Sequence, residues 1–217
     1  MKQAAFEALG DLKHASATAL LTGWLARLQR GDVPAAVQLD LLEAAAKHDS
    51  AEIKSALAAR SEADTKAGPL AEYLTCLDGG DGKAGRKVFF DHEATRCTRC
   101  HTLDGKGGNA GPVLDGIGKR QKRDYLLEAL IAPSAKIAEG FGSTTLDLHD
   151  GGMLVGFITK DQDGGLTIVD VTGKATDVLW TAIAKRTPNG TSAMPAMGGP
   201  LSKRQIRDLI AFLAERK

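Results

Sequence analysis

The residues with the most specific chemistry stand in one run, Cys97-Thr98-Arg99-Cys100-His101. This is C-x-x-C-H. At this spacing two thiols add across the two vinyl groups of one porphyrin, and the adjacent histidine falls beneath the iron as its proximal nitrogen ligand. Other chemistries use parts of the set. Zinc would take Cys97, Cys100 and His101 with a fourth ligand, yet no second paired knuckle follows. A thiol–disulfide redox pair needs a strand–helix–strand context, which the flanking sequence lacks. Chance spacing is the third alternative. Covalent haem attachment uses all three residues and is the leading reading. Cys76 stands alone, so a multi-bridge disulfide framework is excluded. It reads as a small buried hydrophobe, with an intermolecular disulfide as the alternative.

The elements that must position this run are mostly helical. Residues 1–67 read as successive helices. The first carries Ala4, Ala5, Ala8, Leu9 and Leu12 as an apolar stripe, and the second, capped by Ser16, carries Leu20, Leu21, Trp24, Leu25 and Leu28. A third starts at Pro34 and a fourth at Ser50. This unit reads as a HEAT-like α-solenoid fragment; about two helical pairs are present, which leads us to expect a C-terminal fragment of a longer protein, with a small self-contained helical subdomain as the alternative. Residues 68–82 are a Gly- and Pro-marked joint. Residues 83–217 form a second domain, with a helix over Lys83 to Phe90 before the motif and a helix over Arg123 to Ile131 after it. Apolar residues then alternate, with Gly-containing turns after Asp150, Asp163 and Thr172. That pattern predicts a four-stranded antiparallel meander at about 143–186, its third strand running from Leu166 to Val171. Ser202 caps a last amphipathic helix. The predicted fold class is mainly α, with a small β-insert.

Composition narrows the function. The chain has 217 residues, 43% hydrophobic and 25% charged, which is globular usage. No run approaches the roughly 20 apolar residues of a membrane span, and Met1 to Gly10 has no apolar signal-peptide core. Net charge is +1, and the basic cluster Lys119 to Arg123 has only Tyr125 nearby as an aromatic, so nucleic acid is not an expected partner. That cluster, with Arg96, Arg99 and Lys106, could pair with haem propionates or dock an acidic redox protein, or simply be solvated. The glycine-rich stretch Gly105 to Gly111 is expected to wrap the porphyrin with bare backbone.

Around the motif the sequence resembles a class I cytochrome c domain. The resemblance rests on the helix with Gly85 and Phe89, C-x-x-C-H, Gly111-Pro112-Val113-Leu114, Met194-Pro195 and the closing helix Ser202 to Arg216. It implies a cytochrome c fold in which the Pro112 carbonyl accepts the Nδ1–H of His101 and raises its basicity. More narrowly, the order of helical repeats, haem motif, β-insert, Ser-Ala-Met-Pro and closing helix resembles the C-terminal haem-binding domain of large secreted dehydrogenase-like proteins of planctomycetes. For the sixth iron ligand Met194 is the first choice: its thioether is soft, suits iron and raises the potential, and Pro195 stiffens its loop. Met197, His149, His92 or an open site are the alternatives.

These readings lead to a mono-haem c-type electron-transfer module. One covalent haem c would have its iron held by His101 and Met194. Electrons would come from a dehydrogenase, as a partner or an upstream domain, and pass to a downstream acceptor. The module is not itself expected to be an enzyme. An open-iron peroxidase or ligand sensor and a structural interaction module are the rival readings. Haem attachment implies a periplasmic or secreted location, with the leader absent from this sequence.

Overall fold

A computed structural model describes residues 2–170 and 172–217. Four helices come first: α1 (Lys2–Asp11), α2 (Ala15–Gln29), α3 (Gln38–Ala46) and α4 (Ala51–Ala67). A 3-10 segment, Ala71–Cys76, leads to α5 (Gly82–Asp91). The haem-type motif follows in a 3-10 turn, Cys97–Arg99, and then come α6 (Ile117–Arg120) and α7 (Arg123–Ile131). Five strands follow: β1 (Gly142–Leu148), β2 (Met153–Gln162), β3 (Gly165–Val169), β4 (Ala175–Leu179) and β5 (Ile183–Ser192). The chain closes with α8 (Lys203–Ala214).

The expectation of a mainly α chain, made of a HEAT-like solenoid fragment and a cytochrome c fold with a small meander, is corrected. Helix accounts for 47% and strand for 18%. The strands form one antiparallel sheet of five, in the order β4-β3-β2-β1-β5. The fifth strand pairs only with β1 and lies at an edge, with most of its residues exposed. It therefore has no buried face to impose alternation, and Lys-Arg-Thr-Pro-Asn-Gly reads as loop. The sheet spans 142–192 instead of the expected 143–186. The end expected for the third strand, Val171, lies outside the described residues.

A repeating solenoid is not what the first four helices show: α2 and α3 each touch the other three helices, and all four close around one shared apolar cluster. Gly10 lets α1 press on α3, since a Cβ there would meet the Ala44 backbone at 2.9 Å. The stripe expected on α1 is largely exposed. Phe6 is the buried residue and meets Trp24 edge-on at 5.4 Å.

The main core joins α5, α7 and α8 with Leu103, Ile117, Met197 and Leu201, and it recruits Leu39 from α3 and Cys76. Helix α8 opens with a full capping box, in which Ser202 and Gln205 exchange bonds. Its buried face also carries a charge. Arg207 donates to Asp40 of α3 at 2.7 Å, with both side chains almost fully buried. Arg204 adds a bond to Glu43. Removing one partner of such a pair leaves an uncompensated buried charge, at a cost of about 3–5 kcal/mol.

Arg207→Met is therefore expected to lower the denaturant midpoint sharply. Adding Asp40→Leu should recover most of the loss, because an apolar replacement of the whole pair is often neutral. Equal midpoints for the single and double variants would show that the pair carries no such charge penalty.

Candidate functional site

Helix α5 is capped by Asp81, whose carboxylate accepts the Lys83 amide, and delivers the chain to the motif at residue 97. There the backbone folds tightly. The amides of Cys100 and His101 both donate to the Cys97 carbonyl, at 3.2 and 2.9 Å. Arg96, just before, takes a left-handed conformation (φ 38°) that turns the chain into the loop.

The glycine-rich stretch lies against this loop. Gly108 donates to the Thr98 carbonyl and Gly111 to the Cys100 carbonyl, each at 2.8 Å, while Thr102 Oγ1 donates to the Gly108 carbonyl. A Cβ on Gly107 or Gly108 would strike the carbonyl of His101 or Arg99. These two glycines pack on the motif's own backbone, while Ala110 and Gly111 line the neighbouring cavity. Gly111 faces the imidazole itself, where a Cβ would stand 2.8 Å from Cε1 and 2.9 Å from Nδ1 of His101.

His101 Nδ1 lies 2.8 Å from the Pro112 carbonyl oxygen. A carbonyl only accepts, so Nδ1 carries the proton and Nε2 keeps its lone pair. Burial pushes the imidazole below its ordinary pKa, and the Pro112 bond acts in the opposite sense. The neutral ring is the form that binds a metal.

A cavity of about 290 Å³ opens beside this imidazole. Cys97, Cys100 and His101 line it together with Ser192, Met194 and Met197. Phe89, Leu126, Leu130, Leu209 and Leu213 make much of its apolar wall. The charged side chains on its wall are Arg96, Arg120 and Lys136, all cations. Arg120 is held by the carbonyls of Val113 and Asp115. Met197 is buried in the core, with its amide bonded to the Leu130 carbonyl at 2.7 Å. Met194 is only partly buried, and its amide donates to Ser192 Oγ at 3.1 Å.

Among the described residues, the other histidines, Trp180 and Cys76 do not line the cavity. Among the described residues lining the cavity neither His92 nor His149 appears, and His149 is exposed. His14 caps α2, while buried His48 bridges Thr18 and the Leu9 carbonyl. Trp180 donates to the Gln162 carbonyl. Cys76 is fully buried, bonds the Lys203 carbonyl, and has its thiol pushed up to about 11, chiefly by burial. Sequence reasoning missed Lys136, Ile137 and Phe141, which sit in the segment between α7 and β1 and line the cavity. No periodicity or motif marks that stretch.

A donor set of two thiols, a neutral imidazole and a thioether around an apolar cavity fits a haem. Residues 82–163 match the family model for cytochrome c. The match takes in α5 and the motif and stops short of Met194. It supports a cytochrome c domain here, which at the general level implies haem-based electron transfer and a redox partner. The cofactor is covalently attached haem c with its iron. No curated protein matches the chain. No helix among the described residues is long and apolar enough to cross a membrane.

Two measurements test this local structure. Gly111→Ala forces a methyl into the imidazole, and overpacking of this kind costs about 1–3 kcal/mol; the melting temperature should fall by about 2–10 °C and covalent haem yield should drop. Cys76 should resist alkylation at pH 8 in the folded protein and react on unfolding. Its raised pKa contributes stability that is complete below the unfolded thiol's value near 9 and is lost as pH climbs towards about 11.

Proposed function

We propose that this chain is a mono-haem electron-transfer module. Cys97 and Cys100 are the attachment thiols, His101 and Met194 are the two iron ligands, and Pro112 is the group that orients His101. The observation that carries the proposal is shared placement: both thiols, the imidazole and Met194 line one apolar cavity. Both methionines line the cavity, and Met194 is favoured because Met197 is almost fully buried in the core while Met194 is only partly buried.

When bound, the haem supplies a one-electron change at its iron. The protein's residues do the rest. The Pro112 carbonyl holds the Nδ1 proton of His101 and keeps Nε2 available, which fixes the ring's tautomer and strengthens it as a ligand. A Met194 thioether holding the iron together with His101 would favour the reduced state relative to a second histidine. With His101 and Met194 both holding the iron, electron transfer would be favoured over peroxidase chemistry or ligand sensing. Leucine and phenylalanine side chains exclude water from the cavity and so influence the potential.

On this reading a dehydrogenase, as partner or as a further domain, donates the electron to the cavity, and a downstream carrier accepts it. The location is periplasmic or secreted, where covalent haem attachment takes place.

The test is an absorption spectrum of protein made with haem-maturation machinery. A c-type ferrous α-band is expected, with the weak far-red band of a methionine-ligated ferric haem. Met194→Ala should abolish the far-red band and lower the reduction potential, and Met197→Leu should retain the band. A high-spin spectrum in the unaltered protein would replace electron transfer with an open-iron role, and absence of covalent haem would overturn the assignment.

A further inference from the structure

The five-stranded sheet begins and ends at the cavity wall. Phe141, which lines the cavity, immediately precedes β1, and Ser192, which also lines it, is the last residue of β5. The two strands pair at these ends, Gly142 with Ser192. Beside this pair the Ser143 and Thr191 hydroxyls bond at 2.5 Å. The sheet thus returns the chain to the cavity two residues before Met194.

Hydroxyls then fix the return. The Ser192 amide donates to Ser134 Oγ at 3.1 Å, across from the segment after α7. Ser192 Oγ in turn accepts the Met194 amide at 3.1 Å. On the far side of Met194, the Met197 amide donates to the Leu130 carbonyl and Tyr73 donates its hydroxyl to the Gly198 carbonyl. The methionine backbone is therefore tied at both sides, and the upstream tie runs through two serine side chains.

We infer that Ser192 and Ser134 are positioning residues for Met194. Through them the end of the sheet holds the Met194 backbone at the cavity wall, and so sets how readily its thioether is displaced. The inference rests on the reading of Met194 as the sixth iron ligand. It gives the sheet a function in this site that neither the motif nor the family match supplies, since the match ends at residue 163. Met194 follows a strand end and precedes Pro195, so few backbone bonds restrain it other than these. Loss of the Ser192 hydroxyl leaves the Met194 amide without its partner and frees the loop to swing.

The experiment is an imidazole titration of the ferric holoprotein, read by loss of the far-red methionine band, for the unaltered protein and for Ser192→Ala, Ser134→Ala and Ser192→Thr. Covalent haem content and far-UV circular dichroism serve as controls. Ser192→Ala should bind imidazole about fivefold more tightly, the size of one net hydrogen bond. Ser134→Ala should shift in the same direction, and Ser192→Thr should return to the unaltered value because it keeps the hydroxyl. If Ser192→Ala fails to fold, Ser134→Ala decides from the other end of the tie. Unchanged imidazole affinity in the serine variants, with the far-red band present in the unaltered protein, overturns the positioning inference alone. Absence of that band in the unaltered protein overturns the ligand assignment and this inference with it.

Discussion

The close crossing of α5 over α8 at Gly85 is the constraint on which the rest of the structure depends. A Cβ at Gly85 would collide with the Asp208 carbonyl and press on Phe212, so only hydrogen at this position lets the helices meet backbone to backbone. Their approach decides two things together. It places Phe89 of α5 and Leu209 and Leu213 of α8 in the cavity wall. It also fixes where α5 ends, and hence where the chain turns into the Cys97 loop. The Asp208 carboxylate strengthens the same junction by accepting the Asp81 amide at the start of α5, although burial raises its pKa and so disfavours its charge. A small change in the crossing would move the motif and its opposing wall relative to one another.

From α8 the constraint extends to the first four helices. The Asp40–Arg207 pair is nearly dry, and attraction in such a place is offset by the cost of removing both charges from water. Its value lies in register. Leu39 enters the main core one residue before Asp40, so an α3 that slid along α8 would have to give up an apolar contact and a buried ion pair at the same step. Arg204 and Glu43, one turn along each helix, repeat the pairing at the half-exposed rim.

What the sequence made legible was whatever depends on spacing along a single stretch of chain. The C-x-x-C-H run, the capping box at Ser202 and the glycine turns after Asp150 and Asp163 are local patterns with local causes. Features decided by contact across the fold were not legible. Strand β5 has no apolar alternation because nothing covers either face along most of its length; only pairing with β1 makes it a strand. The stripe on α1 misled because its alanines have the right period but face solvent, while Phe6 meets Trp24. The solenoid failed for a related reason: helix lengths and short loops allow a repeating stack, but whether four helices instead close around one cluster is settled by where their apolar residues find partners. In the candidate site, Lys136 and Phe141 belong to a segment without pattern, brought to the cavity by the anchoring of the sheet's ends.

The charge pattern at the cavity bears on its redox character under the proposed function. Its charged wall residues, Arg96, Arg120 and Lys136, are all cationic. A fixed positive charge near a centre that gains an electron favours the reduced state, the same direction in which a thioether ligand acts. The three do not contribute equally. Arg120 is clamped by two carbonyls whose negative ends offset part of its field, but that clamp also keeps its guanidinium in place when the electron arrives. All three are exposed, and solvent and salt screen them over roughly 8–10 Å at ordinary ionic strength. Their influence is therefore greatest when a docked partner removes the intervening water. The apolar wall and the anchored methionine supply a steady preference for the reduced form, while the exposed cations supply one that strengthens on encounter.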